Sequence, residues 1–170
     1  MTTTPQGGIV KLKNKCFAVS VLLCALTAGV VANADIVRRV GAEDLVAATC
    51  GFGLRPQAGK SVRGRPLCVA GNVYENGIGM IPEGAVGFKS DGNVVAFDAL
   101  VGIDDGGLDF KTTTNRKAKA EFRVWADGRV VRSVSVREGQ KPVALHADLA
   151  GAKEIVLETK SCAPWIAIEY

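Results

Sequence analysis

The chain contains little histidine and few aromatic residues, and it lacks the motifs of common enzyme sites. His146 is the only histidine, and Phe, Trp and Tyr together make up 6% of the 170 residues. The sequence has no G-x-S-x-G motif, which marks the nucleophile of many hydrolases, and no Cys-x-x-Cys or Cys/His spacing typical of zinc sites. Since His146 alternates with apolar residues, it is predicted to be an ordinary surface residue. Neither a serine triad nor a zinc centre is predicted.

The chain also lacks a large excess of one charge. Its formal net charge is +4, and three of its lysines, Lys11, Lys13 and Lys15, lie in the N-terminal segment; without them the net charge is about +1. The basic residues of 111–119 lie among threonines and an asparagine, which is typical of a solvated loop. Because no basic patch or stripe is evident, a nucleic acid partner is not predicted.

The first 34 residues have the pattern of a secretory signal peptide. Three lysines precede an apolar run at 16–31, and the tripeptide A-N-A before Asp35 places small residues where signal peptidase cleaves. Cleavage before Asp35 is predicted, with the mature chain secreted or periplasmic and free of the membrane. The alternatives are an uncleaved membrane anchor and a lipoprotein modified at Cys24. The apolar run is shorter than the roughly 20 residues that span a bilayer, and Leu23 stands where lipidation needs a small residue.

Removal of the signal peptide would leave Cys50, Cys68 and Cys162 of the five cysteines. Cysteines in an oxidising compartment tend to form disulfides, so one disulfide and one free thiol are predicted. Three pairings are possible, and the sequence does not choose among them.

Two segments alternate between two faces with the period of two that is typical of a half-buried β-strand. In 93–105, one face carries Val95, Phe97, Ala99, Val101 and Ile103. In 120–128, Trp125 falls on the face opposite Val124, and the segment ends in Asp127-Gly128, which favours the tight turn of a β-hairpin. We expect these two segments to be central strands and to pair with each other.

Short segments of the same kind continue along the chain, separated by Gly, Asp, Asn and Pro. Nine strands are predicted, at 66–70, 73–80, 85–89, 93–104, 118–126, 130–136, 142–149, 154–159 and 165–170. Their spacing of about ten residues is typical of an all-β, two-sheet antiparallel β-sandwich. Residues 35–59 are predicted to be a lead-in segment that lies across the sandwich.

Residues 60–170 carry a series of short motifs in a fixed order. The motifs are Lys60-Ser61-Val62, Pro66-Leu67, Tyr74-Glu75-Asn76-Gly77-Ile78-Gly79, Phe97-x-Ala99-x-Val101-Gly102-Ile103-Asp104-Asp105, Phe122-Arg123-Val124-Trp125-Ala126-Asp127-Gly128, Pro142-Val143, Leu149-x-Gly151-Ala152-Lys153 and Trp165. With these motifs the chain resembles NPCBM, the carbohydrate-binding module first noted in family 98 glycoside hydrolases and related to the family 51 carbohydrate-binding modules. The resemblance implies a galactose-binding-like (jelly-roll) sandwich that binds galactose-type glycans without cleaving them, with a glycoside hydrolase as the implied partner.

Two stretches depart from the pattern of this family. After Gly79 the family usually continues with threonine, histidine and alanine, whereas this chain has Met80-Ile81-Pro82. Before the closing tryptophan the family usually has an acidic, glycine-rich loop and a further histidine, but 159–164 is shorter and not acidic. Two alternatives therefore remain: a degenerate sandwich that contacts another protein, and a fragment of a glycoside hydrolase that has lost its catalytic domain.

Five residues are candidates for contacting a sugar, because sugar sites need an aromatic face and a few polar groups for the hydroxyls. Trp165 matches the closing tryptophan of the family, and Trp125 lies on the outer face of its predicted strand. Tyr74, Glu75 and Asn76 precede a glycine-rich bend where a loop can present polar groups. For each tryptophan the alternative is a place in the core or over a sheet.

Asp104, Asp105 and Asp109 form the most notable cluster of carboxylates. Oxygen ligands at this spacing suit a structural Ca²⁺ ion, which takes about six to eight oxygens. The alternative is a turn in which these side chains accept hydrogen bonds from the backbone. A glycosidase needs two carboxylates on opposite sides of a cleft, and acids in one turn do not provide this arrangement. No intrinsic hydrolase activity is predicted.

Overall fold

The computed structural model describes residues 11–14, 36–39, 45–106 and 118–162, and within these ranges the chain is built mainly from β-strands. A short 3-10 turn lies at Gly51–Gly53. The strands are β1 (Lys11–Asn14), β2 (Ile36–Arg39), β3 (Leu45–Thr49), β4 (Gln57–Ala58), β5 (Leu67–Val69), β6 (Asn72–Tyr74), β7 (Ile78–Gly79), β8 (Gly84–Lys89), β9 (Val94–Val101), β10 (Lys119–Ala126), β11 (Arg129–Arg137), β12 (Val143–Asp148) and β13 (Glu154–Ser161).

The strands form two large sheets and two small sheets of two strands each. The four-stranded sheet has the order β12-β9-β1-β2, and the five-stranded sheet has the order β11-β10-β13-β8-β3. The small sheets pair β4 with β7 and β5 with β6. All of these pairings are antiparallel. The prediction of an all-β, antiparallel β-sandwich is confirmed.

The core lies between the two large sheets, because each strand turns alternate residues inward. Phe97 on β9 and Leu145 on β12 come from one sheet, and Val124 on β10 and Ile155 on β13 come from the other. All four belong to one cluster, and none is more than 2% exposed. By contrast Leu100, which points outward from β9, is 48% exposed. From Phe97 onward the face of β9 that the alternation indicates is the face that packs on the core, whereas at the start of the strand Val94, rather than the predicted Val95, belongs to the core cluster.

The hairpin predicted at Asp127-Gly128 is confirmed. β10 and β11 pair directly across this turn, with Ala126 opposite Arg129. Asp127 and Gly128 have φ angles of 45° and 78°, and positive φ at both central residues is what the favoured two-residue hairpin turn requires.

The predicted pairing of the segments 93–105 and 120–128 is wrong. β9 pairs with β12 and β1, whereas β10 pairs with β11 and β13. The two strands lie in facing sheets and meet only through their inward side chains, among them Phe97 and Val124. The alternation shows which face of a strand is buried, but strands of both sheets in a sandwich share that pattern, so it does not identify a strand's neighbour.

The strand predicted at 73–80 is interrupted. β6 ends at Tyr74 and β7 begins at Ile78, and the two strands belong to different small sheets. Between them Gly77 has a φ of 153°, which is a conformation that only glycine adopts readily. The strand predicted at 165–170 lies outside the described residues.

Four strands fall in segments that the sequence separates from the sandwich: β1 lies in the predicted signal peptide, and β2, β3 and β4 lie in the predicted lead-in segment. β1 pairs with both β9 and β2. Cleavage before Asp35 would remove β1 and leave that edge of β9 without its present neighbour. β3 lies within 35–59 and pairs with β8 at the edge of the five-stranded sheet. Within the described ranges, no helical segment reaches the length and hydropathy of a membrane span.

Cys50, Cys68 and Cys162 are all free thiols, so the predicted disulfide does not form among them. Each cysteine has a different environment. The Sγ of Cys50 accepts a hydrogen bond from the Ile81 N–H at 3.0 Å, and the thiol of Cys68 donates to Asp105 at 3.3 Å. Cys162 is exposed just after β13. The sequence did not choose among the three possible pairings. In the fold the three cysteines lie in separate places, so none of them pairs with another.

Candidate functional site

The sandwich has two distinct ends, which we name the loop end and the turn end. At the turn end the tight turn Asp127-Gly128 lies beside the loops at 89–93 and 149–154, through hydrogen bonds from Ser90 N–H to the Lys153 carbonyl and from Asp127 N–H to the Glu154 carbonyl. At the loop end, the end of β9 and the start of β8 meet the long connection at 50–83, which carries β4 to β7.

Tyr74, Glu75 and Asn76 lie together at the loop end. Tyr74 is half-buried on β6, opposite Leu67 of β5, and Glu75 and Asn76 are exposed in the bend that follows. The bend is closed by a hydrogen bond of 2.8 Å from the Gly59 N–H to the Gly77 carbonyl. At Gly79 a Cβ would lie 2.3 Å from the Lys60 carbonyl oxygen, so only glycine allows the two segments to pack this closely.

Asp105 fixes the β5–β6 hairpin to the body of the sandwich. Its carboxylate accepts hydrogen bonds from the N–H groups of Ala70 and Gly71 at 3.1 and 2.8 Å and from the Cys68 thiol at 3.3 Å. Burial raises the pKa of this carboxyl, but the bonds from Gly71, Cys68 and Ala70 outweigh burial and hold the pKa below its ordinary value. The hairpin that carries Tyr74 is thus held by a charged acceptor.

Asp104 and Cys68 complete this junction. The Asp104 carboxylate accepts hydrogen bonds from the N–H groups of Cys68 and Gly106 at 2.8 and 2.9 Å. Burial, the hydrogen bond to Asp105 and the negative charges of Asp105 and Asp104 raise the pKa of the Cys68 thiol. The thiol is therefore held in its protonated form, in which it can donate to Asp105, and it is a poor nucleophile in this state.

The two carboxylates serve as hydrogen-bond acceptors for the backbone, as in the turn that the sequence offered as the alternative to calcium. Within the described part of the chain, no group of three or more His, Cys, Asp or Glu side chains is arranged to hold a metal ion. Asp109, the third predicted ligand, lies outside the described residues. A structural Ca²⁺ ion therefore stays a prediction.

Ile81 stands where the family usually has a histidine, and its backbone has a structural role here. Its N–H donates to the Cys50 sulfur, and its carbonyl accepts a hydrogen bond from Gly51 at 3.3 Å. At Gly51 a Cβ would lie 2.4 Å from the Pro82 carbonyl oxygen. These contacts fasten the turn Gly51–Gly53 to the start of β8.

Phe52 is an exposed aromatic residue that the sequence reasoning missed. It lies in the turn Gly51–Gly53 with a φ of 58°, which is rare for a bulky residue, and it is 68% exposed. An exposed aromatic ring on a fastened turn at the loop end is a further candidate for a sugar contact. The signal in the sequence is the aromatic residue between two glycines.

Trp125 lies on the outer face of the five-stranded sheet, away from the loop end. It is half-buried next to the turn end, opposite Val130 of β11 and Val156 of β13. Because a strand of eight residues such as β9 spans roughly 25 Å between the two ends, one sugar ring cannot touch both Trp125 and Tyr74. The structure thus separates Trp125 from the other described candidates, and Trp165 lies outside the described residues.

His146 is exposed on the outer face of the four-stranded sheet, as predicted. Its Nδ1 lies 2.7 Å from an Oδ1 of Asp98, the residue directly opposite on β9. The pair is a surface contact between neighbouring strands, and it touches neither the loop end nor Trp125.

The described strands define a module with two large antiparallel sheets packed as a β-sandwich. Residues 39–164 match the family described as NPCBM/NEW2 domain, so the chain belongs to the NPCBM/NEW2 domain family. The resemblance noted in the sequence is confirmed, and the match also takes in much of the predicted lead-in segment. No curated protein matches the sequence significantly.

Several solved carbohydrate-binding modules are similar in structure. The CBM51-2 and INT domains of Clostridium perfringens ZmpB, in complex with GlcNAc, align at 25% identity with a TM-score of 0.58, covering 71% of this chain and 26% of that one. The CBM51 of Clostridium perfringens GH95, in complex with methyl-galactose, aligns at 19% identity with a TM-score of 0.59, covering 72% and 85%. The tandem CBM51 modules of the family 98 glycoside hydrolase of Streptococcus pneumoniae align at 21% identity with a TM-score of 0.57, covering 69% and 39%. The latter two likenesses concern the fold alone, and the ZmpB match spans about a quarter of that chain.

Proposed function

We propose that this chain is a secreted, non-catalytic carbohydrate-binding module that recognises galactose-type glycans at its loop end. The observation that carries the proposal is the family match over residues 39–164. The similar modules were solved with GlcNAc and with methyl-galactose, which supports a neutral sugar as the ligand. A glycoside hydrolase is the proposed partner, since cleavage of the glycan would have to come from another domain or protein.

The arrangement of the loop end supports this choice of surface. Tyr74 supplies a half-buried aromatic ring, and the exposed Glu75 and Asn76 supply an acceptor and an amide for hydroxyl groups. The hydrogen bonds from Ala70 and Gly71 to Asp105 hold the hairpin in place before any ligand arrives. A site that is ordered in advance loses less entropy when it binds.

Binding to a glycan array with galactose-terminated and GlcNAc-terminated glycans tests the proposal, using the full chain with and without calcium. We expect binding to galactose-terminated glycans, and we expect Tyr74→Ala to weaken it about tenfold, because the aromatic face is lost. Val73→Ala is the matched control, since Val73 is the preceding residue of the same strand and is 52% exposed. Trp165→Ala tests the tryptophan that matches the family.

Two results would contradict the proposal. Silence across the array from a folded protein would favour the degenerate sandwich that contacts another protein, an alternative consistent with the structural role of Ile81. If Tyr74→Ala binds glycans as tightly as the unaltered chain, the sugar does not bind at the β5–β6 hairpin. Circular dichroism of each variant establishes that the fold is retained.

The proposed export is tested by determining the first residue of the protein that is recovered outside the cytoplasm. We expect it to begin at Asp35, because the three lysines, the apolar run and the A-N-A tripeptide form a cleavable signal. N-terminal sequencing or an intact mass makes the measurement. A recovered chain that still contains Lys11 and Lys13, or a chain that stays in the cytoplasm, would contradict this expectation.

A further inference from the structure

A shallow groove lies on the outer face of the five-stranded sheet beside Trp125. Its volume is about 180 Å³, and its lining residues are Ala85, Trp125, Gly128, Glu154, Val156 and Glu158. The groove exists because the side chains at neighbouring positions become smaller from strand to strand. Trp125 on β10 lies opposite Val156 on β13, and Val156 lies opposite Gly87 on β8. The indole ring therefore rises as a wall beside small residues.

The ring of Trp125 is held in position by a charged network. Its Nε1–H donates a hydrogen bond of 3.0 Å to the Glu158 carboxylate. Glu158 in turn lies 3.7 Å from the guanidinium of Arg123 and 3.6 Å from the ammonium of Lys160. Arg123 is fixed on its other side by Glu121 at 2.7 Å. The aromatic face is thus ordered without a ligand, which lowers the entropy cost of binding to it.

The chemistry of the lining selects one class of ligand. The indole, Ala85 and Val156 form an apolar surface for the C–H face of a ring, and the ionisable side chains of the lining, Glu154 and Glu158, are both carboxylates. Carboxylates accept hydrogen bonds from hydroxyl groups. Since Arg123 and Lys160 offset the charge of Glu158, Glu154 is the lining carboxylate that repels an anion. The groove is also smaller than the roughly 300–1,000 Å³ of sites for drug-sized ligands, so it suits a single ring.

We propose that this groove is a second sugar subsite that binds one neutral hexopyranose residue and discriminates against acidic sugars. The inference rests on the proposed function, which it extends from the loop end to the face of the sheet. Because the length of the sandwich separates Trp125 from Tyr74, the two subsites take two residues of a long glycan or two separate chains, and each can be removed without the other.

An NMR titration of the ¹⁵N-labelled full chain tests the subsite, with methyl galactoside, N-acetylglucosamine and galacturonate as probes. We expect the neutral sugars to shift the indole N–H of Trp125 and the amides of Ala85 and Val156 in a saturable way. Trp125→Ala should weaken binding at these amides about tenfold and leave the shifts at Asn76 unchanged. Val131→Ala, which removes an exposed apolar side chain of β11 that is 41% exposed and outside the groove, is the control.

Galacturonate has the galactose ring with a carboxylate in place of the C6 alcohol, so it isolates the effect of charge. Galacturonate should bind the groove several-fold more weakly than methyl galactoside. Glu154→Gln should reduce this difference in affinity, because it removes a negative charge that repels the carboxylate of the sugar. Tyr74→Ala should reduce the shifts at the loop end and leave those at the groove intact.

The outcomes separate the two proposals. Shifts at Asn76 with no response at Trp125 would overturn the subsite and leave the sugar function standing. The subsite would also be overturned if the shifts at the amides of Ala85 and Val156 persisted unchanged in Trp125→Ala. Galacturonate binding to the groove as tightly as methyl galactoside would overturn it as well. If no amide of the folded chain responds to any probe, both the subsite and the proposed function fail.

Discussion

Replacing Asp105 with alanine is expected to lower the free energy of unfolding by about 2 kcal/mol and to weaken glycan binding at the loop end. The carboxylate accepts three hydrogen bonds, from Ala70, Gly71 and Cys68, which lie more than thirty positions away along the chain. A hydrogen bond to a charged group contributes about 1.5–3 kcal/mol. Because the bond from Gly71 is exposed to solvent and the other two are only partly buried, we expect the three bonds together to contribute about as much as one such bond. The β5–β6 hairpin that carries Tyr74 then loses its anchor.

Chemical denaturation of Asp105→Ala beside Asp148→Ala checks this expectation. Asp148 accepts one local hydrogen bond, from the Ala150 N–H in an exposed turn, so its replacement should cost less than about 1 kcal/mol. The Cys68 thiol offers an independent measurement, because loss of its acceptor and of a nearby negative charge should make it react faster with a thiol reagent. Equal stability of the two variants would show that Asp105 does not anchor the hairpin.

The contribution of Asp105 should also depend on pH. Its folded pKa lies below the ordinary value of 3.8, so the carboxylate contributes its full stability above that pH. The contribution is lost as the pH falls through the lower, folded pKa. As the pH falls below 3.8 and through the folded pKa, the difference in stability between the unaltered chain and Asp105→Ala should therefore narrow. A difference that stays constant as the pH falls would contradict an ionised acceptor.

Phe97→Ala is expected to be the most destabilising of these substitutions, at about 3–5 kcal/mol. Phe97 is 2% exposed and belongs to the cluster that joins the two large sheets, so its loss opens a cavity between them. Phe52→Ala is the matched control, since the same atoms are removed from a side chain that is 68% exposed. The control should change stability by no more than about 0.5 kcal/mol. Denaturant unfolding of both variants makes the comparison, and similar losses would place Phe97 outside the core.

The period-two alternation was sufficient to predict β9 and β10, the inward face of β10, and the inward face of β9 from Phe97 onward. Phe97 and Val124 are buried as that pattern requires, because a residue's side of a strand depends only on its position along that strand. The same pattern gave the wrong partner for β9, whose neighbours are β12 and β1. Pairing joins strands that are distant in sequence, and two inward apolar faces are alike whether they lie side by side or face to face.

The candidate site could likewise be predicted from the sequence only in part. Asp104 and Asp105 stood out as a carboxylate pair, but their role as acceptors depends on Cys68, Ala70 and Gly71 lying beside them. Phe52 gave only the weak signal of an aromatic residue between glycines, and its exposure follows from the contacts of Cys50 and Gly51 with Ile81.

The sequence by itself determined the all-β class, the faces of the strands, the Asp127-Gly128 hairpin and the family, because these depend on local alternation, turn chemistry and the order of short motifs. The tertiary structure alone decided which strands are neighbours, that the three described cysteines stay unpaired, and that Trp125 and Tyr74 belong to separate surfaces. Each of these depends on distances between residues far apart in the chain, and those distances are set by how the two sheets pack, which no local pattern encodes.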